Sequence, residues 1–224
     1  MTEPWTTLIL LAVVSAVLPV QVAITILMLR SPGGARKAIG WVSGMMAVRL
    51  LQWLVFGVVL GAAVDEGEAG AGTVEATLLL VVAILLLLSA ARKLANQPDE
   101  DAAPPRWMTV VGDVPPGRAF LMGAAVVGLS PKLWAFTLGV IGAIESADLG
   151  GAQANAAYLV FVLLAASIHL AAIVFTVVAP ARAEMVLGRV SGGLERHSRV
   201  VMIVLSAGFG VWFLLKSLAA FGLV

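Results

Sequence analysis

Three residues that carry or can carry positive charge stand inside long apolar runs of this 224-residue sequence: Arg49, Lys132 and His169. No Asp or Glu lies at comparable depth in those runs. A charged side chain at the centre of a bilayer costs about 2.5–3.5 kcal/mol on insertion scales, so such a residue faces a protein interior or a watered cavity. Cations without carboxylate partners point to electrostatic capture of an anion, with a phosphate, sulfate or carboxylate group supplying the counter-charge. Simpler roles exist for two of them. Arg49 could snorkel, although about ten residues into its run is deep for that. His169 could be a neutral, hydrogen-bonded core residue. Lys132 directly follows Pro131 and is the hardest to assign to packing, whereas Lys216 reads as an interfacial anchor near a helix end.

Other chemistries find little support. There are no paired carboxylates and no Ser/His/Asp arrangement, and the two histidines, His169 and His197, fall on different elements, so an enzyme is not expected. The absence of cysteine removes disulfides and thiolate metal sites. No glycine loop ends in Lys-Ser/Thr, so the chain is not expected to hydrolyse ATP, and no cofactor is implied. A proton relay through the membrane would have only His169 to use.

The elements that must position these residues are membrane helices. Hydrophobic residues make up 61% of the chain, charged residues 12%, and the mean hydropathy is +1.04, which leaves too little polar surface for a soluble domain. Six apolar stretches, about 7–29, 38–63, 74–95, 119–144, 153–178 and 200–222, are long enough to span. Runs such as Leu78–Leu88 are apolar all round, as lipid-facing helices are. A net charge of +1 gives no basic field for nucleic acid. The opening MTEPWTTLILLAVV lacks a basic n-region and reads as a retained first helix.

Loop charges orient the bundle. Arg30, Arg36 and Lys37 follow the first span; Arg92, Lys93, Arg106 and Arg118 follow the third; Arg182, Arg189, Arg196 and Arg199 follow the fifth. The alternate loops hold Asp65, Glu66, Glu68 and Glu75, then Glu145 and Asp148, with no Lys or Arg. The positive-inside rule makes the first set cytoplasmic and puts both termini outside. The connection 95–118 carries Pro98, Pro104, Pro105, Pro115 and Pro116 and cannot be one long helix. Within it Trp107–Val111 fits either the headgroup region or a solvated linker.

The chain also repeats. VSAVLPVQVAITI around Pro19 is similar to VVGLSPKLWAFTL around Pro131, 112 residues later. The expected units are residues 1–95, a Pro-rich loop 96–118, and residues 119–224. Three spans per unit make the second copy insert upside down, so the expected fold is an all-α membrane protein of six transmembrane helices in two inverted three-helix repeats. Each proline removes a backbone donor and frees a carbonyl near mid-bilayer, which only a protein-lined or watered cavity can satisfy. Small-residue pairs, Gly40 with Gly44, Gly57 with Gly61 and Ala124 with Gly128, suit close packing within the chain or in a homodimer.

These segments resemble the glycolipid or peptidoglycolipid addressing proteins (GAP family) of the lysine-exporter superfamily. The resemblance covers nearly the whole chain: LPVQVAITILMLRSP, then Gly40-Trp41-x-x-Gly44, then PRWM, PPGRAFLMG and LSPKLWAFTL, and last Leu194-Glu195-Arg196-His197 with the Leu-Lys216-Ser stretch. Where the superfamily carries Asn-Pro-Lys, this chain has Ser130-Pro131-Lys132, which keeps a hydroxyl but loses an amide. The resemblance implies a multi-pass protein of a bacterial cytoplasmic membrane that translocates an anionic envelope lipid, a glycolipid or its precursor. Lys132, Arg49, His169, Pro19, Gln21, Ser130 and Pro131 are the candidate substrate-binding residues. Export of amino acids or other small solutes, and a non-transporting scaffold for envelope-synthesis proteins, are the alternatives.

Overall fold

The computed structural model describes residues 3–65, 68–95, 111–145, 147 and 149–223, with backbone alone at helical positions 3–4, 57–65, 68–75, 78, 82, 131–132, 191–199, 201 and 220. No strand occurs among the described residues. The helices are α1 (Glu3–Ala16), α2 (Pro19–Leu29), α3 (Gly34–Asp65), α4 (Glu68–Ala95), α5 (Pro116–Leu129), α6 (Pro131–Glu145), α7 (Gly151–Val178) and α8 (Pro180–Ala220).

The two expected proline interruptions are breaks in the helices. Leu18 (φ −57°, ψ 117°) and Ser130 (φ −92°, ψ 109°) are extended, which is where the ring of a following proline pushes the residue before it. The helix then restarts with proline in its first position, where no amide hydrogen is needed. The chain bends by 49° between α1 and α2 and by 67° between α5 and α6.

Among the described residues, three helical segments are long and apolar enough to cross a membrane: Gly34–Phe56, Gly151–Val178 and Met202–Ala219. Each bent pair counted as one span brings the number to five, and the chain reads as a multi-pass membrane protein. The expected stretch 74–95 lies in α4. There Leu79, Ala83, Leu86 and Ala90 form a buried stripe at helical spacing, while Val81, Ile84, Leu85 and Leu88 stay exposed on the other faces. Apolar residues on the exposed side too are what a lipid-facing helix requires.

One expectation needs correcting. Residues 180–199 were expected to form a loop, because arginines and glycines interrupt the apolar run. They are instead helical and continue without a break into the last span as the 41-residue α8. Arg and Glu are good helix formers, so their charge limits how far the segment can enter lipid rather than whether it coils. Of the Pro-rich connection, 96–110 falls outside the described residues, and Val111 and Val114 are buried.

Helix packing exchanges in pairs when α1–α4 are swapped for α5–α8. The pair α1/α7 has its counterpart in α3/α5, α2/α3 in α6/α7, α2/α7 in α3/α6, α2/α8 in α4/α6, and α3/α4 in α7/α8. The pairs α3/α7 and α4/α8 exchange with themselves and join the halves directly. The contacts α1/α6 and α5/α6 do not share in this exchange at comparable strength.

Close approach of α3 and α5 depends on glycine. A Cβ on Gly44 would collide with the Phe120 carbonyl, and one on Gly123 would collide with that of Trp41. Small residues let membrane helices meet backbone to backbone, where dispersion replaces the hydrophobic driving force. The Gly40/Gly44 pair is thus used inside the chain. At one end of this seam Lys37 Nζ donates to the Gly112 carbonyl (2.6 Å) and to Ser31 Oγ (3.1 Å), tying the α2–α3 turn to the segment before α5. Gly33 permits that turn with φ of 69°.

Candidate functional site

Arg49 lies on α3, flanked by apolar residues that face outward, such as Leu51 and Leu54. Its own side chain turns inward and is 4% exposed, so it does not snorkel. Nη2 donates to Ser15 Oγ on α1. The guanidinium carbon sits 5.1 Å from the ring centroid of Phe161 on α7, a cation–π contact. Tyr158 OH donates to the Arg49 carbonyl at 2.7 Å, and its ring stacks on Trp53 with centroids 4.6 Å apart. Trp53 Nε1 in turn donates to Asn155 Oδ1 at 2.8 Å. Three helices therefore hold the guanidinium, yet Nη1 has no hydrogen-bond partner. Among the described residues, no carboxylate pairs with it.

His169 on α7 is 1% exposed, and its Nδ1 lies 2.9 Å from Thr25 Oγ1 on α2. The Thr25 hydroxyl donates to the Gln21 carbonyl one turn back, at 2.9 Å. A hydroxyl has a single proton, so with that bond made it accepts from His169 Nδ1–H. Nε2 is then a bare acceptor, and it is unpartnered. Gln21 is buried with Nε2 unpartnered. Thr137 on α6 donates to Gln52 Oε1 at 3.0 Å, and Gln52 Nε2 also lacks a partner. Buried polar atoms are ordinarily satisfied, so this group of orphans in one region marks a place built to meet a polar ligand or ordered water.

Gln21 lines two cavities. One is lined by Gln21, Met45, Met46, Arg49, Val162, Ala165 and Ala166. It holds about 10 Å³, roughly the room for one water. The other, of about 200 Å³, lies between the two helix breaks and is lined by Leu18, Val20, Gln21, Val126, Ser130, Leu133 and Met202. Leu18 with Ser130 and Gln21 with Leu133 are both pairs 112 residues apart, as are Arg49 and Phe161. The restarted helices α2 and α6 begin at this cavity, and a helix start carries about half a positive charge.

Of the candidates read from the sequence, Arg49, Gln21 and Ser130 line these spaces, His169 lines neither but bonds Thr25 one turn beyond Gln21, and Pro19 sets one of the breaks. Pro131 and Lys132 open α6, but their side chains lie outside the described residues. Ser15, Thr25, Gln52, Thr137 and Tyr158 were not singled out. The spacing of Gln21 with Thr25 and of Arg49 with Gln52 puts polar groups on common helix faces and could have indicated two of them.

A family model described as Sap, sulfolipid-1-addressing protein, matches residues 8–219, nearly the whole chain. No curated protein and no solved structure matches.

Proposed function

The chain belongs to the sulfolipid-1-addressing protein family, and from that membership we propose that it translocates an anionic envelope glycolipid across the cytoplasmic membrane. The observation carrying this reading is Arg49: a buried guanidinium, held by three helices, with one nitrogen left unbonded beside a cavity. A sulfate or phosphate ester would supply the absent counter-charge, and charge-assisted bonds to such groups are the strong ones. His169 Nε2 asks for a donor, which a sugar hydroxyl beside the charged group provides.

The architecture we infer is six spans in two inverted repeats, with the sixth span in α4 and both termini outside. The paired exchange of helix contacts and the two breaks 112 residues apart support it. Alternating exposure would then come from one half rocking against the other around Arg49 and Phe161. The test is transfer of a sulfated glycolipid across proteoliposomes, read by its exposure to an external sulfatase. Wild type should transfer the lipid and Arg49→Gln should not. Equal transfer by the two proteins overturns the assignment.

A further inference from the structure

The larger cavity is not a second headgroup site. Apart from Gln21 and Ser130 its walls are Leu18, Val20, Val126, Leu133 and Met202. Val20 is 45% exposed, so the cavity reaches the flank of the bundle, whereas Leu133 is buried at its inner wall. It shares only Gln21 with the Arg49 cavity. A lipid substrate brings both an anion and a chain. Its chain could remain in the bilayer as the headgroup crosses, or it could enter the protein.

We propose that the apolar cavity between the two helix breaks takes the first segment of the substrate's hydrocarbon chain while Arg49 holds its anion, with Gln21 at the junction. This rests on the reading of Arg49 as the headgroup cation. Volume and chemistry agree with it. An apolar cavity of about 150 Å³ is enough to bind benzene, so about 200 Å³ admits a short run of methylenes. Charge complementarity selects the occupant. A neutral chain gains nothing from Arg49, and a headgroup without a chain leaves the apolar walls unfilled. The substrate class is therefore an amphiphile whose anion sits close to its chain. Leu18, Val126 and Met202 would set how much chain is accepted.

The chain has no native cysteine, so an introduced thiol reports unambiguously. Val126→Cys, in phosphatidylcholine nanodiscs, is labelled with N-ethylmaleimide in the presence of octyl sulfate, inorganic sulfate or octyl glucoside. Octyl sulfate at about ten times its Kd should slow labelling about tenfold by occupancy. The other two should not, and Arg49→Gln in the same background should cut the protection to about twofold or less. Met202→Cys, on another wall, gives the same readout if Val126→Cys folds poorly. If octyl sulfate binds in an Arg49-dependent way, measured by thermal shift, but leaves both thiols fully reactive, the chain stays outside and this inference fails. If binding does not depend on Arg49 at all, the headgroup reading itself fails.

Discussion

Thr25 Oγ1 and His169 Nδ1 stand 2.9 Å apart, joining α2 to α7 across 144 residues of chain. The bond fastens α2 just beyond the break at Pro19 and orients the imidazole so that Nε2 is the atom left over. It belongs both to the packing of the halves and to the polar region around Arg49.

A double-mutant cycle of Thr25→Val and His169→Phe measures what that bond contributes. Hydrogen bonds between membrane helices average about 0.6 kcal/mol in such cycles, and a coupling of this size is expected here. Unfolding in mixed micelles is the measurement. Strict additivity of the two single changes would show that the contact is not made.

Arg49→Gln should separate function from folding. Taking one partner from an ion pair is strongly destabilising, but among the described residues Arg49 has no carboxylate to strand. Its removal relieves a desolvated charge at the expense of the bond to Ser15 and the cation–π contact with Phe161. Thermal stability should therefore be retained or raised, while affinity for an anionic amphiphile falls roughly 10–100-fold, the equivalent of one charged hydrogen bond of about 1.5–3 kcal/mol. A large drop in melting temperature would instead make Arg49 a structural residue.

Gly44→Val should open the α3/α5 seam, since its Cβ meets the Phe120 backbone rather than a side chain able to turn away. Overpacking of this kind costs about 1–3 kcal/mol or more. Gly117→Ala, on α5 with nothing within 4 Å, is the control and should be near neutral. Similar melting temperatures for the two variants would contradict the close crossing.

Orientation can be read with single thiols in whole cells, using an impermeant maleimide. Gly150→Cys, beside the start of α7, should label directly, and Arg36→Cys, in the first turns of α3, only after permeabilisation. Both positions are exposed. The reverse pattern would place the termini inside.

Much of this was legible in the residues because the membrane penalises specific chemistry. A proline in an apolar run removes one donor wherever it stands, so the breaks at Leu18 and Ser130 could be expected without coordinates. A cation without a carboxylate at its depth had to turn inward, and Arg49 does. Thr25, Gln52 and Thr137 were not visible in this way. A hydroxyl or amide within an apolar helix can bond one turn back or reach a neighbour, and only packing decides which. Residues 180–199 misled for a different reason: charge sets where a segment sits relative to lipid, while helix propensity sets whether it coils, and α8 separates the two.

The length of α8 has a mechanical consequence. Its 41 residues make a rod of about 60 Å, twice the thickness of the hydrocarbon layer. Met202, at the wall of the chain cavity, lies about 33 Å from the Pro180 end. Tilting this rod by about 10° around Met202 would sweep its arginine-bearing end through roughly 6 Å. Pivoting of α8 at Met202 would therefore magnify a small adjustment beside the cavity at the Pro180 end of the helix.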